Sequence, residues 1–239
     1  MGAAIISGLA AKGFKKDRIT VAEPWAVNRK KMADLGVNVT TDNVEASKGA
    51  DIIILAVKPQ VAKTVCQELG AKAFSSDDSL PLVVSIAAGI TSESLTEWCK
   101  NGDSRSPAIV RVMPNTPALF SEGASGVYAS SDVTSEQKAQ VTALLDSVSR
   151  VTEWVDKEEL LDVITAVSGS GPAYFFALTE HLITAGVKLG LSEEQATRLA
   201  SQTCFGAGKM LTQASEAPGQ LRKNVTYVSP ARYADAEIY

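Results

Sequence analysis

The sequence predicts an α/β protein: a Rossmann-like doubly wound parallel sheet, followed by an all-α part. Two observations lead to this prediction. Short apolar runs alternate with helical stretches over the first two-thirds of the 239 residues, a pattern typical of a parallel sheet with helices on both faces. The remainder contains only helical patterns, so we place a domain boundary near Asp156, between residues 1–155 and 156–239.

Short apolar or β-branched runs predict the strands, which are expected at 19–23, 37–39, 51–57, 82–88, 108–113, 126–129 and 151–155. The run 51–57 is continuously apolar after its first residue, which is typical of a strand buried on both faces. Helices are expected between the strands, at 26–35, 61–69, 91–99 and 134–149.

Three signals mark helix starts. Thr134 with Gln137, and Ser192 with Gln195, have the spacing of a capping box. Pro172 fits the first turn of a long helix. That helix is apolar nearly all round, so it must be buried in a core or against a second subunit.

Charge and composition exclude several classes of protein. The net charge is −4, with 23 basic and 27 acidic residues interleaved, which argues against a nucleic-acid or membrane-surface protein. The longest apolar run, 52–57, is too short to span a bilayer. The N-terminus lacks the features of a signal peptide, so we expect a cytoplasmic protein.

The cysteines and the single histidine limit the possible chemistry. The 3 cysteines are widely spaced and form no CxxC, so we expect a reducing compartment without a disulfide framework or a cysteine metal site. One histidine, His181, excludes a multi-histidine metal site and argues against a histidine-dependent triad. No nucleophile–base pair stands out, so no catalytic residue is assigned.

Two residues fit a dinucleotide, each with a plain alternative. Gly2 fits the third glycine of a G-x-G-x-x-G fingerprint, or simply the start of a helix. Glu23 ends a predicted strand, where an acid can bind an adenosine ribose hydroxyl. It fits equally well as a solvated turn residue before Pro24.

Three segments follow strands or precede a helix. Lys58 ends the strand 51–57, at the sheet edge where ligands bind, and could attract a phosphate or carboxylate or be a solvated lysine. The turn 113–117 holds Asn115 and Thr116 between two prolines, either for a ligand or only for structure. The glycines of 168–174 precede a helix N-terminus that favours an anion, or they relieve crowding in a tight connection.

Five motifs in this order resemble those of pyrroline-5-carboxylate reductases. They are AVKPQ at 56–60, RVMPNTP at 111–117, AVSGSGPAY at 166–174, GAGKML at 206–211 and PGQLRKNV at 218–225. The resemblance extends from Met1 to Thr226.

The resemblance implies a Rossmann domain and a helical domain that interlocks with its partner in a homodimer, with larger rings also known. It implies reduction of 1-pyrroline-5-carboxylate to L-proline by hydride from NADPH or NADH, the last step of proline biosynthesis, without a metal. A protonated cyclic imine is already electrophilic at carbon, so positioning and electrostatics can carry most of the reaction.

The resemblance also assigns site residues by position. The cofactor would contact Gly2, Glu23, Asn43, Ala56, Val57, Lys58, Pro59, Ala87, Ala88, Asn115 and Asn224, and the substrate would contact Thr116, Ser170 and Gly171. Glu23 stands where the family commonly has a hydroxyl residue. Because a carboxylate repels a 2′-phosphate, NADP and NAD both remain candidates.

Both ends depart from the family pattern. Family members have a strand and Gly-x-Gly ahead of the position of Met1, and a Gly-Gly-Thr substrate loop where this chain diverges from Tyr227. We therefore expect a truncated form whose sheet lacks the first strand. The alternative is a catalytically impaired isoform that only binds other subunits. A third hypothesis, a Rossmann reductase for a hydroxyacid or a flavin-like carrier, is disfavoured by 168–174 and 218–225.

Overall fold

The computed structural model describes residues 1–74 and 79–226, and the chain divides into two compact units. The first unit is Met1–Pro172 and the second begins at Ala173. The domain boundary near Asp156 stays a prediction. It falls directly after the last strand and precedes the division between the compact units.

The first unit contains two sheets. A two-stranded parallel sheet pairs β1 (Thr20–Ala22) with β2 (Asn38–Thr40). A second sheet holds five strands in sequence order: β3 (Ile52–Leu55), β4 (Leu82–Ser85), β5 (Ile109–Met113), β6 (Gly123–Ala129) and β7 (Ser149–Val155). The predicted Rossmann-like fold class is confirmed.

One pairing in the five-stranded sheet differs from the expected parallel arrangement. β6 runs antiparallel to β5, whereas the other neighbouring strands are parallel. The prediction of a uniformly parallel sheet is wrong at this pair. The reason is the connection, a single short 3₁₀ helix over Thr116–Phe120. Antiparallel strands can be joined by so short a link, but parallel strands need a crossover of about a dozen residues or more.

Seven α-helices accompany these strands in the described part of the first unit: α1 (Gly2–Ala11), α2 (Ala26–Asp34), α3 (Asn43–Ser47), α4 (Pro59–Lys72), α5 (Ser92–Trp98), α6 (Ser135–Leu145) and α7 (Leu160–Ile164). The predicted capping box of α6 is present: Thr134 Oγ1 accepts from Gln137 N at 3.2 Å and Gln137 Oε1 accepts from Thr134 N at 2.9 Å. The sequence analysis missed α3, which Asp42 caps.

The core shows that helices cover both faces of the sheet. Leu82 and Val84 of β4 pack in one apolar cluster with Ile5 of α1 and Leu145 of α6. Val83, which points the other way, packs in a second cluster with side chains of α4 and α5. This alternation along one strand is the doubly wound arrangement that the sequence predicts.

β3 is less buried than its sequence predicts. Ile52, Ile53 and Ile54 are only half-buried, although the run was expected to be buried on both faces. Among the described strands, β3 pairs with β4 alone. Its other edge therefore has no neighbouring strand whose side chains would cover it.

Long helices make up the described part of the second unit. A π-helical turn at Thr165–Gly169 leads into α8 (Gly171–Lys188), which is followed by α9 (Glu193–Gln213) and α10 (Pro218–Val225). Pro172 lies in the first turn of α8 and Ser192 forms the predicted capping box of α9. The predictions for residues from Tyr227 onward lie outside the described residues.

The apolar face of α8 is exposed within the single chain. Tyr174, Phe175 and Phe176 are 58%, 53% and 66% exposed. The stretch Leu160–Lys188 is long and apolar enough to cross a membrane by length and composition, and 11% of its most apolar window is buried. An apolar helix that packs against a second subunit passes the same test, so the finding does not by itself place the chain in a membrane.

Candidate active site

Three loops lie at one edge of the five-stranded sheet. β3, β4 and β5 are parallel, with Leu55 opposite Ser85 and Ser85 opposite Arg111. Their carboxyl ends therefore share one edge, where ligands bind in doubly wound sheets. The sequence-predicted residues 56–59, 87–88 and 115–116 all follow these strands directly.

The segment after β3 presents an unpaired cation. Lys58 is the N-cap of α4 and Pro59 its first residue. Ala56, Lys58 and Pro59 are exposed and Val57 is half-buried. Within the described residues, the Lys58 ammonium has neither a hydrogen bond nor an ion pair. The site therefore offers a free positive charge to an anion.

Gly2 lies against this same segment. A Cβ built at Gly2 would be 3.2 Å from the Cβ of Ala56. That distance is tighter than an ordinary contact between such atoms, so a larger residue at position 2 would press on Ala56. The start of α1 and the segment after β3 thus approach each other closely.

A hydrogen bond holds the N-terminal end of the loop after β4. Ser85 is buried, and its Oγ accepts a hydrogen bond from the backbone N–H of Ala87 at 3.2 Å. Ala87 is buried and Ala88 is exposed. The loop therefore offers a small, apolar surface that a flat ring could approach closely.

Asn115, after β5, is buried, and both ends of its amide are bonded inside the protein. Its Oδ1 accepts from Ala124 N at 2.9 Å, and its Nδ2 donates to the Ser168 carbonyl at 3.1 Å. The side chain therefore braces the turn, and its contact with the cofactor stays a prediction. Thr116, the next residue, is exposed.

The glycine-rich segment before α8 lies against the end of β5. A Cβ built at Gly169 would be 3.3 Å from Sδ of Met113. The N–H of Ser170 donates to the Thr165 carbonyl at 2.7 Å, which closes the π-helical turn. Ser170 and Gly171 follow at once, so the structure brings them to the end of the sheet that carries Asn115 and Thr116.

The residues expected on the adenosine side follow β1 and β2. Glu23 Oε1 accepts from Trp25 N at 3.0 Å, and Arg29 Nη1 donates to the Glu23 carbonyl at 2.9 Å. Asn43 opens α3, and its Nδ2 donates to Glu68 Oε2 at 3.0 Å. Because Glu68 is on α4, this bond connects α3, which follows β2, to the helix that has Lys58 as its N-cap.

Asn224 is the one predicted site residue in the second unit. It lies on α10, where its Oδ1 accepts from Gln220 Nε2 at 2.7 Å and its Nδ2 donates to Glu216 Oε1 at 3.1 Å. Its proposed contact with cofactor stays a prediction.

An ionic cluster beside the site is not among the residues predicted from sequence. Arg111 of β5 has a side chain that is only 9% exposed, and its Nη1 lies 2.7 Å from Glu158 Oε1. Glu158 also accepts from the N–H and the hydroxyl of Ser92. A signal existed, since an arginine inside the apolar strand IVRVM requires a buried partner.

The charge of Glu158 is stabilised by its partners. Burial alone would raise its pKa, but the hydroxyl and the N–H of Ser92, together with the Arg111 guanidinium, outweigh burial and lower the pKa. Glu158 is therefore a carboxylate at neutral pH. Among the described residues, no group of three or more His, Cys, Asp or Glu side chains could hold a metal ion.

Known proteins resemble both parts of the chain. Residues 158–230 match the family described as pyrroline-5-carboxylate reductase dimerisation, and residues 1–89 match the family described as NADP oxidoreductase, coenzyme F420-dependent. A pyrroline-5-carboxylate reductase of Pseudomonas aeruginosa is 45% identical over the whole chain and is covered over 84% of its own length. The chain belongs to the pyrroline-5-carboxylate reductase family.

Solved structures of this family agree. A pyrroline-5-carboxylate reductase from Coxiella burnetii has a TM-score of 0.85 and 36% identity, with 95% of this chain and 81% of that chain covered. The Plasmodium falciparum enzyme, solved with NADP bound, has a TM-score of 0.80 and 33% identity, with 95% and 80% covered. The family membership expected from the five motifs is confirmed.

Proposed function

We propose that this chain reduces 1-pyrroline-5-carboxylate to L-proline with NADPH or NADH, the last step of proline biosynthesis. The observation that supports this most strongly is the set of three loops at the carboxyl edge of β3, β4 and β5. They present small side chains and one free cation, in a chain whose relatives over its whole length are named as such reductases.

The residues at this edge fit a dinucleotide. A side chain at position 2 would crowd Ala56, so Gly2 keeps this edge open. The exposed Lys58 supplies a cation for a phosphate or carboxylate. The proposed cofactor contacts are Gly2, Glu23, Asn43, Ala56, Val57, Lys58, Pro59, Ala87, Ala88, Asn115 and Asn224.

The proposed substrate contacts are Thr116, Ser170 and Gly171. Thr116 and Ser170 are exposed polar residues, and the structure brings their two segments to the same end of β5. Their hydroxyl groups can hold a small polar ring by hydrogen bonds. We assign no catalytic acid or base.

The reaction requires binding and orientation from the side chains rather than acid–base catalysis. NADPH or NADH, when bound, would supply the hydride that reduces the imine carbon. A protonated imine that accepts a hydride is already a neutral amine, so no side chain has to transfer a further proton. The chain's residues have to bind both molecules, orient them and keep water away. A site with small side chains and without an acid–base pair suits that task.

The exposed aromatic face of α8 supports a homodimer. A chain in solution rarely leaves so many large apolar side chains uncovered, and the matched dimerisation family covers this region. We propose that a second copy covers α8 and α9, that dimers can assemble into larger rings, and that the enzyme works in the cytoplasm without nucleic acid or membrane as a partner.

The proposal is tested with the purified chain. We expect NADPH or NADH to be oxidised only when 1-pyrroline-5-carboxylate is present. Lys58→Ala should weaken cofactor or substrate binding about ten-fold. Lys12→Ala, which changes an exposed lysine at the C-cap of α1, should leave binding unchanged. A folded chain that binds full-length subunits but never oxidises either cofactor would instead support the subunit-binding alternative.

A further inference from the structure

Arg111 and Glu158 form an ion pair between two distant parts of the first unit. Arg111 lies inside β5, directly opposite Ser85 of β4. Glu158 lies between β7 and α7, and its side chain is 23% exposed. A buried arginine needs this carboxylate, because an unpaired guanidinium in an apolar sheet is very costly.

The same carboxylate also holds the start of α5. The N–H of Ser92 donates to Glu158 Oε1 at 2.5 Å, and the Ser92 hydroxyl donates to Oε2 at 2.7 Å. Both oxygens of Glu158 are therefore occupied. One carboxylate therefore connects Ser92, at the start of α5, to Arg111 inside β5.

Ser92 lies at the C-terminal end of the loop that follows β4. The N-terminal end of that loop is fixed by Ser85 Oγ and by the bond from Ile86 N to the Leu55 carbonyl at 3.1 Å. Between the two ends lie Ala87, Ala88 and Gly89, which has φ +74°. Hydrogen bonds thus fix the loop 86–91 at both ends, and Glu158 fixes its C-terminal end.

We propose that Glu158 is a positioning residue for the reaction: by holding Ser92 against Arg111, it fixes the loop 86–91 and so places Ala87 and Ala88 at the carboxyl edge of the sheet. The proposal rests on the proposed function, in which those alanines contact the cofactor. Glu158 itself touches neither cofactor nor substrate in this account.

A second bond supports a common role for the segment that contains Glu158. Ser168, at the other end of this segment, accepts from Asn115 after β5. Residues 158–168 therefore hold both the loop after β4 and the turn after β5. A displacement of one loop by about an ångström is enough to slow a reaction that depends on orientation.

The test compares Glu158→Gln and Glu158→Ala with Glu159→Gln. Glu159 is the neighbouring residue and is exposed, and its side chain has no hydrogen bond or ion pair in the described part of the chain. Amide hydrogen exchange is measured without cofactor on peptides that cover 86–92, β4 and β6. Ser92→Ala, which removes only the hydroxyl bond, serves as a milder variant should Glu158→Ala fail to fold.

We expect faster exchange confined to 86–92 in the Glu158 variants and in Ser92→Ala, together with a cofactor KM raised about ten-fold. Glu159→Gln should match the wild type in both. Unchanged exchange at 86–92, or an equal rise in β4 and β6, would overturn the proposal. Hydrogen exchange can be measured even if the wild type turns over no substrate. Failure of the proposed reductase activity can therefore be distinguished from failure of the positioning role of Glu158.

Discussion

Asn115 Nδ2 donates to the carbonyl of Ser168 at 3.1 Å, across 53 positions of sequence. The other amide atom of Asn115 accepts from Ala124 N at 2.9 Å. One buried side chain therefore joins the turn after β5, the start of β6 and the π-helical turn that precedes α8. The prediction from sequence placed Asn115 at the cofactor; its bonds suggest that it acts there by holding the turn.

Asn115→Ala should destabilise the first unit. The substitution leaves the N–H of Ala124 and the carbonyl of Ser168 without their partner, which costs about 3 kcal/mol. Denaturant unfolding measures this loss. Thr116→Ala is the matched control, because that side chain is exposed, and it should change stability by less than about 0.5 kcal/mol. Equal stabilities of the two variants would refute the bracing role.

Glu158→Gln should remove a pH-dependent part of the stability. The folded-state pKa of Glu158 is lowered, so its contribution is fully present above the unfolded pKa of about 4.3 and is lost as the pH falls through the lower folded value. At neutral pH we expect a loss of about 2 kcal/mol. The difference from wild type should shrink in acid, whereas Glu159→Gln should show no such trend.

Glu23→Ser should raise the preference for NADPH over NADH. Glu23 directly follows β1 and is half-buried, and removal of its carboxylate relieves repulsion of a 2′-phosphate. The ratio of kcat/KM for the two cofactors should move toward NADPH about ten-fold. Glu136→Ser, an exposed acid on α6, changes the net charge equally. An equal shift in that control would show that Glu23 has no specific effect.

Cys66 and Cys99 should resist thiol reagents in the folded protein. Both are 0% exposed, and they share a hydrogen bond that, together with burial, raises the pKa of the Cys99 thiol. Because Cys204 lies on α9, which the proposed dimer covers, the variant Cys204→Ala is compared with the wild type, and its native form should show no fast reaction. All 3 thiols should react in denaturant. Fast modification of Cys66 in native protein would contradict the packing of α4 on α5.

Phe176→Glu should convert the proposed dimer to monomer. Phe176 is 66% exposed in the single chain, so a charge there costs little unless a second copy covers it. Sedimentation velocity measures the change. Val27→Glu, at a residue that is 71% exposed on the polar helix α2, should leave the assembly intact. A wild-type chain that sediments as a monomer would refute the dimer.

Local rules predict much of this fold from sequence. The capping boxes at Thr134 and Ser192 form as the spacing predicts, because each needs only residues three apart. The β-branched run at 52–55 forms a strand for the same local reason. Its half-burial was not predictable in this way, since burial depends on which strand lies next to it.

The candidate site was predictable only in part. The sheet edge that carries 56–59, 87–88 and 115–116 follows from the alternation of strands and helices. The partners of Asn115 and Glu158 are distant in sequence and leave no local pattern. The arginine in the middle of β5 is the exception, because its charge indicates that a partner exists without indicating which one.

The most direct measurement of the central claim is the transfer of label from cofactor to product. The purified chain is incubated with 1-pyrroline-5-carboxylate and NADPH or NADH deuterated at the reactive carbon of the nicotinamide, and the product is analysed by mass spectrometry and NMR. We expect L-proline with one deuterium at the former imine carbon. Folded protein that yields no labelled proline with either cofactor would contradict the assignment of this chain as an active reductase.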